Sequence, residues 1–217
     1  MLKLYSFWRS LAAYRVRIAL NLKGIPAEIV TVDLLAGHQH NPDYKKINPQ
    51  MAVPSLVDEK GAVMFQSMAI LEYLEEQHPL PPLLPLDSRG RARVRGLSQI
   101  LVADTHPLMV PRVRSRLAKE HGFSEEQIVQ WGKHWIETGL AAFEGHLARD
   151  AETGVFCHGD QVSLADICLY SQAVGSVHFK ADPKQFPTIA RILAKCDEIK
   201  AFTDTHPSKQ PGAPKVA

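Results

Sequence analysis

Cysteine is scarce in this chain and forms no pattern. Cys157, Cys168 and Cys196 make neither a C-x-x-C pair nor an even set for disulfides, and they read as buried free thiols in a reducing compartment. A surplus of one charge is also lacking. The net charge of +2 leaves no electrostatic footprint for nucleic acid, whose binders gather Lys and Arg on one face. The densest basic runs are Arg89, Arg91, Arg93 and Arg95, then Arg112, Arg114 and Arg116. Their alternate spacing scatters side chains around a helix, so most are expected in solvent. No apolar run approaches the roughly 18 residues that span a bilayer. Ten histidines are present, but no H-E-x-x-H motif and no Cys/His cluster accompanies them; no metal is expected. Met1–Tyr5 reads as a strand and not as a signal peptide, because Arg9, Arg15 and Arg17 follow it. These exclusions leave a cytoplasmic globular protein that binds neither nucleic acid nor membrane.

The 217 residues suffice for one large domain or two modest ones. Residues 2–7 alternate as a strand does. Ala12, Val16, Ala19 and Leu20 then repeat at helical spacing over 11–23, with Arg15, Arg17 and Lys23 lying elsewhere on the helix. Ser10 stands at the N-cap and Gly24 just past the end. The β-branched stretch Glu28–Leu34 predicts a second strand, parallel to the first. A polar loop over 36–41 and a weak helix near Asp43–Ile47 follow. Val53–Val57, a turn at Glu59-Lys60-Gly61 and Ala62–Phe65 predict a hairpin. Ser67 is expected to cap a helix over 68–76. Four prolines between His78 and Pro85 exclude regular helix and mark a boundary. The expected division is 1–80, an α/β thioredoxin-like domain, and 86–217, an all-α domain. In the latter, Pro107 and Pro111 should bend one helical stretch, Ser124–Gln127 and Ser163–Asp166 are capping boxes, and a helix over 188–203 precedes a tail from Pro207 expected to fray.

Three features could carry chemistry. Ser10 begins a helix directly after a strand, where a hydroxyl and the helix dipole can stabilise an anion such as a bound thiolate; it could equally be a simple cap. Val53-Pro54 opens a strand. A cis bond there would free the Val53 N–H and C=O to pair with an extended peptide, whereas a trans bond would be ordinary strand entry. Gln66-Ser67 opens the next helix, where free N–H groups and a hydroxyl suit a carboxylate, or merely cap it. Taken together, the three fit a thiol-bearing peptide with a free carboxylate at one end.

The chain resembles the glutathione transferases, and among them the zeta class of maleylacetoacetate and maleylpyruvate isomerases. The resemblance rests on Phe7–Ser10, the class-specific Arg15–Leu20 segment within Tyr14–Gly24, Asn48-Pro49, Val53-Pro54, Gln66-Ser67 with Ala69–Glu76, and Gly159-Asp160 with Leu164–Asp166. It implies glutathione as cofactor and Ser10 as the catalytic hydroxyl that holds its thiolate. Val53 would pair with the cysteinyl unit beside cis-Pro54, Gln66 and Ser67 would hold the γ-glutamyl carboxylate, and Gln39 would reach the other end. His106, in the pair His106-Pro107, would join the glutathione site. Arg9 and Arg112 are candidates for an anionic small-molecule substrate, as is His178, which stands beside Phe179 where the family often has an arginine. Ser10 is followed by Leu11-Ala12-Ala13 in place of the family's small polar run.

The activity so implied is cis–trans isomerisation of a maleyl diacid by thiolate addition, rotation and elimination, within aromatic amino acid catabolism. Alternatives are a general transferase that conjugates or dehalogenates small electrophiles, and a non-catalytic interaction module of the same fold. The resemblance also implies a homodimer.

Overall fold

In the computed structural model, which describes residues 1–214, the alternating N-terminal stretch forms strand β1 (Leu2–Ser6). Helix α1 (Leu11–Leu22) and strand β2 (Ala27–Thr31) follow, and β1 and β2 run parallel with Leu4 opposite Ile29. Helix α1 stops as its sequence requires. Gly24, at φ +64°, sends its N–H to Asn21 O, and the Ile25 N–H reaches Leu20 O at 2.9 Å. These are the two bonds of a Schellman stop, which a residue with a Cβ would strain. Helix α2 (Pro42–Ile47) leads to the expected hairpin, strands β3 (Ser55–Val57) and β4 (Val63–Phe65). Helix α3 (Ser67–Gln77) completes a βαβ–ββα unit with sheet order β2-β1-β3-β4, the thioredoxin-like arrangement.

The chain divides into two compact units, Met1–Pro82 with the stretch from Ile199 onward, and Leu83–Glu198. The end of the chain, assigned in the sequence to the helical domain over 86–217, thus groups with the N-terminal unit. One helix was expected over 188–203. Instead, α8 (Pro187–Asp197) ends, Ile199 is extended, and a short α9 (Lys200–Thr203) begins. The Tyr14 hydroxyl donates to Phe202 O at 2.7 Å, which ties α9 to α1. The tail does not fray at Pro207, which is buried in a 3₁₀ turn over Pro207–Lys209; the last three residues of that expectation, 215–217, lie outside the described residues.

This cover explains a second correction. Arg15 and Arg17, expected on an outward face of α1, are 0% and 3% exposed. The helix is buried continuously from Ala13 to Leu20, so it has no solvated face here. Lys23 is equally enclosed. Its ammonium lies 2.7 Å from Glu75 Oε2 and donates to the carbonyls of His78 and Pro81 at 2.6 and 2.9 Å, with none of its side chain exposed. It joins the end of α1 to the end of α3 and to the proline-rich run.

The second unit is helical. Helix α4 (Ser88–Gln99), capped by Asp87, passes into a wide π-type turn over Ile100–Thr105 and a 3₁₀ turn over His106–Met109. This is the bend expected where Pro107 removes a backbone donor. Helices α5 (Pro111–His121), α6 (Glu125–Arg149) and α7 (Leu164–Ser176) follow. The Ser124–Gln127 capping box forms. At α7 the Asp166 carboxylate accepts from the Ser163 N–H and hydroxyl and from the Cys157 N–H, at 2.7–2.8 Å. Arg89, Arg112 and Arg116 are exposed as expected. Arg93 is not: it reaches Asp150 Oδ2 at 3.0 Å, Thr153 Oγ1 at 2.8 Å and Cys157 O at 2.7 Å, because the loop after α6 folds over it. All three cysteines are buried free thiols. Among the described residues no helix is long and apolar enough to cross a membrane.

Truncating Lys23 would leave Glu75 buried without its cation. Lys23→Ala should cost about 3–5 kcal/mol in urea denaturation, whereas Lys46→Ala, whose pair with Asp43 is on the surface, should cost less than about 1 kcal/mol.

Candidate functional site

Strand pairing brings three loop ends to one end of the sheet. Tyr5 lies opposite Ser55 and Ser55 opposite Phe65. The exit of β1, the entry of β3 and the exit of β4 are therefore neighbours, and α1 and α3 both begin there. Ser10, Val53-Pro54 and Gln66-Ser67 sit on these three ends.

Ser10 is the N-cap of α1. Its Oγ accepts from the Ala13 N–H at 3.2 Å, so the hydroxyl proton is left to donate. Its own N–H donates to Phe7 O at 3.0 Å and closes the turn after β1. No acidic residue occupies the first turn of α1, so nothing offsets the positive end of the dipole. Leu11-Ala12-Ala13 adds only backbone N–H groups. Arg9, half-buried, adjoins Ser10.

The Val53–Pro54 bond is cis. The Val53 side chain packs with Phe7, Val32 and Tyr44, while its N–H and C=O make no backbone hydrogen bond among the described residues. The loop is held from behind, since Ala52 O accepts from the Tyr44 hydroxyl at 2.7 Å and from Asn48 Nδ2 at 2.9 Å. Burial pushes the Tyr44 phenol above its ordinary range and keeps it a neutral donor.

At α3 the structure corrects the expected cap. Gln66 is the N-cap, at φ +69° and ψ 123°, and Ser67 is the first helical residue. A left-handed φ on a residue with a side chain is strained, and such strain persists where the surroundings impose it. The Gln66 amide donates to Gln50 Oε1 at 3.0 Å. Ser67 is buried, and its Oγ accepts from Arg15 Nη1 at 3.3 Å, again leaving a hydroxyl proton to donate. A cation thus lies behind the start of α3, whose first turn carries no acid. The arrangement suits a carboxylate. Gln39 lies in the turn after Gly37; its Oε1 is buried with no partner among the described residues, and its Nε2 is 3.1 Å from His40 Nε2.

Arg15 and Gln50 escaped the sequence reading. They meet their partners across 52 and 16 residues, and no local pattern reports such distances. The left-handed cap at Gln66 was equally invisible, because φ at a non-glycine residue leaves no mark in composition.

The remaining candidates belong to the helical unit. His106 is half-buried at the head of its 3₁₀ turn, Arg112 is exposed in the first turn of α5, and His178 is exposed in a 3₁₀ turn over Val177–Phe179. The elements carrying all three pack on α6. Trp131 Nε1 donates to Leu108 O at 2.7 Å, and the Arg114 guanidinium lies 5.7 Å over the Phe179 ring. Phe179 fits against Gly132, where an added Cβ would come within 2.0 Å of its ring.

Comparison with known proteins shows the family. Residues 1–76 match the family described as glutathione S-transferase, N-terminal domain. A maleylpyruvate isomerase from Ralstonia sp. is 42% identical over 97% of this chain and 99% of its own. A maleylacetoacetate isomerase from Pseudomonas aeruginosa is 39% identical over 98% and 99%. The crystal structure of a maleylacetoacetate isomerase from Methylobacterium extorquens, with malonate and glutathione bound, superposes with a TM-score of 0.95 at 50% identity, covering 98% of this chain and 99% of that one. A maleylpyruvate isomerase described as a bacterial zeta-class glutathione S-transferase gives 0.94 at 42%, over 98% and 100%. The chain belongs to the zeta-class glutathione transferases, in the family of maleylacetoacetate and maleylpyruvate isomerases.

Because Phe179 occupies the space over Gly132, Gly132→Ala should displace the turn that carries His178. A loss of about 1–3 kcal/mol in thermal or urea unfolding is expected. Gly145→Ala, which meets open space on the same helix, should be neutral or slightly stabilising.

Proposed function

We propose that this protein is a glutathione-dependent cis–trans isomerase of a maleyl diacid, maleylacetoacetate or maleylpyruvate. One observation carries the reading: a single end of the sheet presents a free hydroxyl proton on Ser10, an unpaired peptide group at Val53 and the amide-rich start of α3 at Gln66-Ser67. These are the partners of a thiol, a central peptide unit and an α-amino-acid carboxylate, the three recognisable parts of glutathione. The buried, unpartnered Oε1 of Gln39 is a further polar atom for the same ligand. The residues present fit the tripeptide, and relatives of this chain carry it in their crystals.

When bound, glutathione supplies a thiolate able to add reversibly to a conjugated double bond and so permit rotation about it. This chain's residues do the rest. Ser10 donates to the sulfur and, with the α1 N-terminus, holds it ionised. Val53 fixes the tripeptide backbone beside cis-Pro54, Gln66 and Ser67 anchor its carboxylate, and Gln39 and His106 complete the hold. Arg9, Arg112 and His178 hold the negative charges of the diacid and of the enolate that develops during reaction. We read the protein as a cytoplasmic homodimer: its thiols are free and buried, and Phe65 on β4 is 56% exposed, an apolar contact for a second copy.

The test is loss of maleylpyruvate or maleylacetoacetate absorbance with and without added glutathione. Turnover that requires glutathione supports the isomerase; conjugation of electrophiles with no isomerisation would transfer the chain to the general transferases. Ser10→Ala should lower kcat by about 10²–10³ while costing only about 1 kcal/mol of stability through the lost cap. Unchanged turnover in that variant would remove Ser10 from its role. Ser67→Ala should instead raise KM for glutathione by about tenfold or more, the size of one hydrogen bond to a charged group, with kcat little altered.

A further inference from the structure

One guanidinium inside α1 is surrounded by neutral partners only. Arg17 Nη1 donates to Ser6 Oγ at 3.0 Å and to Phe7 O at 3.4 Å, Nη2 to Trp8 O at 3.2 Å and Nε to Thr205 O at 3.4 Å. Its carbon lies 5.2 Å from the centre of the Tyr14 ring. No carboxylate pairs with it among the described residues. Burial lowers its pKa to about 10, so it remains a cation at neutral pH.

A buried cation of this kind is costly, and packing alone would be served better by an apolar side chain. Three of its four acceptors belong to Ser6, Phe7 and Trp8, the segment that leads into Ser10. Phe7 O is shared: it accepts from Arg17 at 3.4 Å and from the Ser10 N–H at 3.0 Å. The guanidinium therefore stands one carbonyl away from the residue assigned to the thiolate. Its charge is not cancelled by an acid, and in a poorly solvated interior such a charge acts over several ångströms. Behind Ser10 the side chains Leu11, Ala12 and Ala13 offer no polar help, so favourable charge at this end of the sheet comes from the α1 dipole, from the adjoining Arg9 and from groups beneath the loop.

We propose that Arg17 is a positioning residue for Ser10 whose buried positive charge, through the Ser6–Trp8 segment, lowers the pKa of the thiol held there. The proposal rests on the glutathione reading above and adds a role for a side chain that touches neither substrate nor tripeptide. It also gives the terminal stretch a function, since Thr205 O fixes the guanidinium from the far side.

The test is a pH titration of the ultraviolet thiolate absorbance of glutathione bound to the full chain, for the wild type, Arg17→Gln and Arg17→Lys. Circular dichroism verifies folding, and glutathione affinity is measured in parallel. Arg17→Gln should raise the titration midpoint by about one unit, a tenfold loss of thiolate at a pH below it. Arg17→Lys keeps the charge without the planar fork and should stay near the wild type. A folded Arg17→Gln with the wild-type midpoint overturns the proposal, as does an Arg17→Lys midpoint raised as far as that of Arg17→Gln. Should Arg17→Gln fail to fold, Arg17→Met takes its place with the same two outcomes: a raised midpoint supports the charge role and a wild-type midpoint overturns it. A wild type that shows no thiolate band with glutathione overturns the glutathione reading and this proposal with it, whereas a normal band with unchanged variants overturns this proposal alone.

Discussion

Helix α1 can be enclosed on every side only because its cations find partners inside the fold. Arg15, Arg17 and Lys23 would each carry a large desolvation cost if left alone, and each is met by a different neighbour. Arg15 reaches Ser67 at the start of α3, Arg17 gathers the loop after β1 and the carbonyl of Thr205, and Lys23 binds Glu75 and two carbonyls of the proline-rich run. These contacts are the means by which one helix fixes the two helix starts, the loop between them and the chain's terminal stretch. Ser67 is held by the Arg15 cation and Ser10 by the Ala13 N–H, and both hydroxyls accept in these bonds and keep a proton to donate.

The helical unit is built on different terms. Its helix ends are satisfied locally, by Asp87, by the Ser124–Gln127 box and by the buried Asp166 carboxylate. Its helices approach closely where glycine allows it. Gly132 receives the Phe179 ring and Gly139 the Thr105 side chain, and a Cβ at either would sit 2.0 Å from its neighbour. Substrate candidates on exposed turns, such as His178, thus stand on buried and tightly fitted supports. That combination suits residues that must be reachable yet keep their place.

Much of this architecture was legible from the residues. The βαβ unit, the hairpin, the stop at Gly24, both capping boxes and the bend at Pro107 follow from periodicity, turn chemistry and missing donors. The three segments Ser10, Val53-Pro54 and Gln66-Ser67, which meet at one end of the sheet, were legible too, because each lies at a strand or helix end that the sequence marks. Burial of polar residues was not. Helical spacing placed Arg15 and Arg17 away from the apolar stripe of α1, and away from the stripe normally means water. The alternating arginines of α4 carry the same local signal, although Arg93 is enclosed by a loop some 60 residues later.

By itself, then, the sequence determined the order and type of the elements and which residues stand at their ends, since caps, turns and periodicities act between neighbours within a few positions. The tertiary structure alone decided which cations are inside, that Gln66 and not Ser67 caps α3, and that the chain from Ile199 belongs with the N-terminal unit. Those outcomes depend on partners 16 to 188 residues apart, which meet only after the sheet and helices have packed.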